Sequence, residues 1–366
     1  MDVLHCFAPG RVELLGNHTD YNGGYVLSAA IQQGVRVSGF RRDDGVIRLS
    51  TLFGGENHRR EVSFEEVFVK SGDWSDYPLG VLEVLRNNRH SLGAFDAVYD
   101  SDLPSGAGLS SSAALEVSTI LLLSKLFGFS LSGMDLAKLC SYAENQFVGV
   151  QCGILDQVSS LFGKRDHALF LDCLREKVRL VSFPHDMSLL IVQCGVPHAL
   201  VDGVYNARRL QCSEAARQLG VDFLRDADMT QLEKSRLPDL ERRRAAHIIG
   251  ENDRVLRGVE FLESGNMADF GRLMTTSHES SRVNFENSTP ELDLLVSIAT
   301  STKGVLGARL TGGGFGGAIV VLVSREDRHQ AGNLIASEYE RRSGHQSHVM
   351  ECDLADGALI ENGFVS

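Results

Sequence analysis

The sequence predicts an α+β protein of two lobes, and three observations carry that prediction. Its 366 residues exceed what one hydrophobic core ordinarily organises. Strand-like and helix-like stretches come in unequal blocks rather than in strict alternation, which argues against a doubly wound sheet. A break near Pro184, just before the unbroken apolar run at 188–194, divides the chain into lobes 1–184 and 185–366.

The first lobe opens at residues 5–31 with two strand-like runs around a polar bend. Arg11, Asn17, His18, Asp20 and Asn22 crowd that bend. A guanidinium fork, amides, an imidazole and a carboxylate suit a polyhydroxylated ligand, whose hydroxyls both donate and accept. A polar hairpin loop turning at Asn22-Gly23-Gly24 accounts for the same residues equally well. Runs at 35–40 and 46–50 alternate as antiparallel strands do. A helix starts at 73–77 and continues to about Asn87. Trp74, the single tryptophan, stands beside Tyr77 and either fills a core or stacks on a purine, packing being the simpler reading.

Residues 94–100 alternate as a half-buried strand, and 113–127 form an apolar run long enough for a buried helix. Between them Leu103-Pro104-Ser105-Gly106-Ala107-Gly108-Leu109-Ser110-Ser111-Ser112 joins strand to helix, chiefly through small residues. Gly106 and Gly108 permit close backbone approach. The first amides of a helix lack internal partners and carry the positive end of its dipole, so the junction suits an anion. The serines are alternatively plain N-cap residues. The loop lacks the Gly-Lys-Ser/Thr ending of a Walker A motif and has no lysine.

Residues 132–148 form the clearest amphipathic helix, with Leu136, Leu139, Cys140, Ala143 and Phe147 on one stripe. Glu144 lies beside that stripe, either as a surface group or as a ligand for a cation. A tight turn at 151–155 enters a short helix whose first turn holds Asp156, a capping position at the least. Strands are expected at 168–174, 178–182 and 188–194, then helices at 205–219, 242–263, 266–283 and 290–301, with a charged loop at 232–241. The cluster at 311–317 contains Gly-x-Gly-x-x-Gly at 312, 314 and 317. A β-branched strand follows where a dinucleotide motif demands a helix, so this is a loop between strands that packs on another backbone.

The net charge of −12 offers no footprint for nucleic acid or an anionic membrane, and the ligand is therefore small. Seven scattered cysteines, with no Cys-x-x-Cys pair, fit a reduced, cytoplasmic setting. The expectations are no structural zinc, no signal peptide and no membrane span.

In order along the chain, Ala8-Pro9-Gly10-Arg11 through Gly24, Pro104 through Ala114, and Leu310 through Gly317 resemble the three motifs of the GHMP small-molecule kinases. Trp74-x-x-Tyr77 with Gly80-Val81, Glu144, Gly153-Ile154-Leu155-Asp156-Gln157, Tyr205-Asn206-x-Arg208-Arg209 and Pro290-Glu291-Leu292-Asp293 are similar to the galactokinase branch. The resemblance implies a ribosomal-S5-like N-terminal lobe, a ferredoxin-like C-terminal lobe and an ATP-dependent sugar 1-kinase acting as a monomer or weak homodimer. It assigns Mg²⁺ to Ser112 and Glu144, and the ATP phosphates to Gly106, Ala107, Gly108, Leu109, Ser110, Ser111 and Ser112. Trp74 and Tyr77 would lie near adenine. Asp156 would meet the anomeric hydroxyl beside Arg11, and Asn17, His18, Asp20, Gly153 and Tyr205 would line the sugar.

One departure bears on substrate. The branch reads Asn and Glu where this chain has Glu13 and Asn17, and its glutamate meets the sugar 6-hydroxyl. An amide there tolerates a C6 carboxylate better than a carboxylate does, which sets a galacturonate kinase beside the galactose reading. Asp20 is kept, favouring galactose-like stereochemistry. A non-catalytic galactose sensor is the reading of another class, although the serine loop is complete and Arg11, Glu144 and Asp156 are present.

Overall fold

A computed structural model describes residues 3–53, 56–104, 106–196 and 201–361. Ser105 of the serine loop lies outside them. The chain orders its elements as β1 (Leu4–Leu15), β2 (Tyr25–Arg41), β3 (Val46–Phe53), β4 (Glu56–Ser63), α1 (Asp76–Asn87), β5 (Phe95–Ser101), α2 (Ser111–Phe127), α3 (Gly133–Ala143), α4 (Leu155–Phe162), β6 (His167–Asp172) and β7 (Lys177–Ser182). There follow β8 (Met187–Gln193), α5 (Val201–Leu219), α6 (Met229–Lys234), α7 (Asp239–Ser264), α8 (Met267–Ser280), α9 (Pro290–Thr300), β9 (Val305–Thr311), β10 (Ala318–Ser324), α10 (Arg328–Ser343), β11 (His348–Cys352) and β12 (Leu359–Glu361).

Among the described residues the larger sheet has eight strands in the order β12-β1-β2-β5-β3-β4, with β6 on the first part of β2 and β7 on β6. The smaller sheet is antiparallel, β11-β8-β10-β9. The α+β class holds. Two local expectations do not. The apolar run at 25–31 and the alternating run at 35–40 are one continuous strand, β2, and β3 does not pair with it. Instead β5 enters between them, antiparallel to β2 and parallel to β3. The segment at 232–241 is not a plain loop either. Asp228 caps α6 by accepting the Gln231 amide hydrogen at 2.7 Å, and α7 starts directly after Pro238.

Side-chain alternation explains why β8 and β10 read as unbroken apolar runs. In β10, Ala318, Val320 and Leu322 join the core shared with β1, α7 and α8, whereas Ile319, Val321 and Val323 join a second core under α9 and α10. The small sheet is thus covered on both faces. On β1, Val12 and Leu14 point into the main core, while Arg11 and Glu13 alternate with them and face the other way.

Glu13 meets a buried charge network that ties β1 to α7 and β9. Arg309 Nη2 lies 3.0 Å from Glu13 Oε1, and its Nη1 lies 3.6 Å from Glu251 Oε1 and donates to the Leu14 carbonyl at 3.2 Å. Glu251 Oε1 also accepts from Ser277 Oγ at 2.6 Å and from the Gly16 and Asn17 amides at 2.9 and 3.3 Å. Burial alone would raise the Glu251 carboxyl, but Arg254 and Arg309 hold it well below the usual carboxylate range. The network sets the loop after β1 in place from behind.

Removing one member of such a network leaves the others buried without their partner. Arg309→Met should lower the free energy of unfolding by about 3–5 kcal/mol, read as a fall in the urea midpoint.

Candidate active site

A bulge in β1 between Pro9 and Arg11 turns the Arg11 side chain toward α4. Its Nε and Nη2 lie 2.9 and 2.7 Å from Asp156 Oδ1, and Nη1 donates to the Gly108 carbonyl at 2.6 Å. Both contacts to Asp156 fall on Oδ1, so Oδ2 stays outside the pair. The Arg11 amide also bonds the Leu109 carbonyl at 3.1 Å, and Ser160 Oγ bonds the Pro9 carbonyl at 2.7 Å. A Cβ on Gly10 would stand 2.7 Å from that Leu109 carbonyl, so the serine loop can rest on β1 only over a glycine.

In the serine loop Gly106, Gly108 and Ser110 take φ of 67°, 66° and 59°, while Ala107 and Leu109 between them are buried. Alternation of left-handed residues turns backbone N–H groups toward one side, the arrangement that makes an anion-binding concavity. It leads into the N-terminus of α2, with Ser111 exposed and Ser112 half-buried. Ser110 Oγ is buried without a hydrogen-bond partner. A serine held left-handed with an unpaired hydroxyl is a local cost that a plain N-cap does not require. The loop at 311–317 closes over this one: a Cβ on Gly312 would lie 2.9 Å from the Gly108 carbonyl.

The helix expected over 132–148 ends as α3 at Ala143 and continues as a π turn, Glu144–Val148. That turn carries Glu144 inward, where its Oε2 accepts from Gln157 Nε2 at 2.9 Å and from Cys152 Sγ at 3.1 Å, and Ser112 also hydrogen-bonds the carboxylate. Burial first, and then the Asp156 charge, raise the Glu144 carboxyl. The surface alternative for Glu144 therefore falls away. Trp74 is half-buried and meets Tyr99 edge-on at 5.7 Å; Tyr77 is half-buried at the start of α1. A Cβ on Gly80 of α1 would lie 3.2 Å from Phe147 of the π turn, which puts this helix beside Glu144.

On the other side of Asp156, Asp20 lies against Gly153 so closely that a Cβ there would stand 2.0 Å from Asp20 Oδ2. Burial and the neighbouring Asp156 charge push the Asp20 carboxyl up to about 6, against the pull of the Tyr21 amide, Arg209 and Arg11. Tyr205 of α5 packs on His18, with ring centroids 4.9 Å apart, and a Cβ on Gly313 would touch its ring. His18 is left-handed at φ 61° and buried, and burial drives its imidazole down to about 3. Its Nε2 faces the Gly313 carbonyl at 3.0 Å and must donate, so Nδ1 accepts from the Tyr21 hydroxyl at 2.8 Å.

Asn17 is 1% exposed. Its two amide hydrogens go to Glu13 Oε1 at 3.0 Å and to the Gly312 carbonyl at 2.8 Å, and its Oδ1 accepts from Asn287 Nδ2 at 2.8 Å. It braces the loops and turns no donor toward the cleft. Sequence reading passed over Glu116, Arg309 and Glu251. Each is a charged residue inside an otherwise apolar or amphipathic run, a pattern that signals a buried partner. Arg209, whose Nη1 bonds the Gln151 carbonyl at 2.9 Å, joins α5 to the loop before Asp156.

Residues 76–164 match the family model for the GHMP kinases N terminal domain, residues 259–341 that for GHMP kinases C terminal, and residues 2–39 the galactokinase galactose-binding signature. The chain is 39% identical over 358 residues to a galactokinase of Roseiflexus sp. (strain RS-1), covering 96% of this chain and 91% of that relative. It superposes on the crystal structure of Lactococcus lactis galactokinase complexed with galactose with a TM-score of 0.93 and 30% identity, over 98% and 95% of the two chains. The Methanococcus jannaschii mevalonate kinase structure shares the fold at a TM-score of 0.68 and 19% identity, over 97% and 98%.

The geometry couples Asp20 to Asp156. Titrated by ¹³C NMR, the Asp20 carboxyl should ionise near pH 6 and move to lower pH in Asp156→Asn, because a neighbouring negative charge has been removed.

Proposed function

The chain belongs to the GHMP kinases and, within them, to the galactokinases, and from that premise we propose that it phosphorylates the anomeric hydroxyl of galactose with ATP, giving α-D-galactose 1-phosphate. One observation carries the assignment of the centre: Arg11 joins Asp156 to the Gly108 carbonyl of the serine loop. Phosphoryl transfer requires mainly alignment and compensation of oxygen charge. Arg11 supplies a fixed cation between the two reactants. Asp156 Oδ2 receives the anomeric hydroxyl and orients it. It accepts the proton as the bond to the γ-phosphorus forms and that from the γ-phosphorus to the β-phosphate oxygen breaks, ADP leaving.

The serine loop amides from Gly106 to Ser112 cradle the ATP phosphates, with the unpaired Ser110 hydroxyl as one further donor. Trp74 and Tyr77 lie on the adenine side, with α1 packed against the π turn of Glu144. Ser112 and Glu144 offer a hydroxyl and one carboxylate, hard oxygen donors that fit Mg²⁺ shared with phosphates. Among the described residues no group of three or more His, Cys, Asp and Glu could hold a metal, so Ser112 and Glu144 would hold the ion together with its nucleotide. When bound, the cation offsets the charge on the phosphate oxygens.

Asp20, Gly153 and Tyr205 line the sugar, and His18 contributes its ring. The galacturonate alternative loses its support at Asn17, whose amide hydrogens are both engaged within the protein. A C6 carboxylate would meet no free donor there and would approach Asp20. A sensor role finds no support in a complete, strained loop. All seven cysteines are unpaired, which supports the cytoplasm as the compartment, and among the described residues no helix is long and apolar enough to cross a membrane.

Asp156→Asn should lower kcat by about 10²- to 10⁴-fold with ATP affinity kept, in an assay that couples ADP formation to NADH oxidation. In the same assay, galactose should exceed galacturonate in kcat/KM by about a hundredfold or more, since like charges brought together cost several kcal/mol. Equal rates for the two sugars would return the uronate reading.

A further inference from the structure

Behind Glu144 stands a group of side chains to which the mechanism so far gives no part. Gln157 is fully buried, and its Nε2 donates both to Glu144 Oε2 at 2.9 Å and to Glu116 Oε2 at 3.0 Å. Glu116 is also fully buried, on α2 one turn beyond Ser112 and on the same side of the helix. Three elements meet here: α2 with Ser112 and Glu116, the π turn with Glu144, and α4 with Asp156 and Gln157. Among the described residues neither Glu116 nor Glu144 pairs with a lysine or arginine.

The choice of an amide has a physical consequence. A lysine or arginine at this place would orient the Glu144 carboxylate but would also neutralise it, competing with any cation for the same charge. An amide orients without neutralising. Gln157 and Cys152 both bond Oε2, so neither occupies Oε1. Gln157 itself is held at its other amide hydrogen by Glu116, whose backbone belongs to the helix that presents the serine loop. The distance between Glu144 and Ser112 is thereby set by a rigid path of buried hydrogen bonds rather than by the π turn alone.

We infer that Gln157 is a positioning residue that fixes the Glu144 carboxylate for a divalent cation and is anchored on Glu116, a reading that rests on the sugar-kinase function above. Outer partners of this kind tune metal affinity more than substrate affinity. They act through orientation, so a change at Gln157 should separate the two affinities.

The test measures Mn²⁺ binding to the enzyme with ADP, from the electron paramagnetic resonance signal of free Mn²⁺, alongside galactose binding by calorimetry. Gln157→Met keeps length and apolar volume but removes the amide. It should weaken Mn²⁺ by about 10- to 100-fold and raise the Mg²⁺ concentration for half-maximal rate in step, with galactose affinity unchanged. Gln157→Asn, too short to span both carboxyls, should give the same split and serves if the methionine variant does not fold. Glu116→Gln still offers Gln157 an acceptor oxygen and should retain Mn²⁺ affinity. Unchanged Mn²⁺ affinity in both Gln157 variants overturns the inference, as does a parallel loss of galactose affinity, which would mark general damage. Either result leaves the kinase reading standing, because that reading fails only if the wild-type protein forms no ADP on addition of galactose.

Discussion

A single buried guanidinium holds the centre of this molecule together. Arg11 reaches a carboxylate on α4 and a carbonyl of the serine loop, two segments separated from it by 145 and 97 residues along the chain. Much nearby geometry follows from giving that cation its partners. The β1 bulge aims the side chain, Gly10 lets the loop approach, and Ser160 fastens α4 to the bulge carbonyl. An arginine buried without such partners would be strongly destabilising, so the arrangement that satisfies its charge is also the one that brings an anion cradle next to a carboxylate. Stability and chemistry here share one cause.

The strand that carries Arg11 carries Glu13 two residues on, pointing to the same side. One charge faces the cleft and the other meets Arg309 behind it. The period of a strand thus places the arginine of the cleft and its structural counterweight side by side, with Val12 between them in the core. Through Arg309 and Glu251 this second network fixes the backbone of Gly16 and Asn17, and so the position from which His18 and Asp20 project. The loop bearing His18 and Asp20 is set from the interior, and the serine loop is set by loop crossing loop at Gly108 and Gly312.

Local signals in the sequence reach as far as local physics does. The apolar run of α2, the glycines that need left-handed backbone and the strand after Gly317 are decided by neighbours within a few residues, and each could be read without coordinates. The insertion of β5 between β2 and β3 could not, since both hairpin pairing and a parallel crossover satisfy the same alternation. Asn17 shows the same limit at the site. Its position in a polar bend pointed toward the ligand, yet the loop at 312–313 and Asn287, hundreds of residues away, take up its hydrogen bonds. Glu144 was ambiguous at the edge of an amphipathic stripe because a π turn changes the helical phase by one residue, and that turn lies across the very residues at issue.

The paired exchange at positions 13 and 17 has a physical reading that neither position gives alone. The two side chains share a hydrogen bond, Asn17 Nδ2 to Glu13 Oε1. Position 17 also faces a carbonyl oxygen, that of Gly312, which calls for a donor and would repel a carboxylate. Position 13 faces Arg309, which calls for an acceptor and gains from a charge. In this chain the amide therefore belongs at 17 and the acid at 13: swapping them would set a carboxylate against the Gly312 carbonyl and leave Arg309 facing an uncharged amide. The pair acts as one unit whose only carboxyl, pushed up to about 7 by burial against the pull of Arg309 and Arg11, stands at position 13 beside the buried arginine. The departure from the family pattern is thus compensated within the protein, and it changes how the loop is braced rather than which sugar the cleft is built to hold.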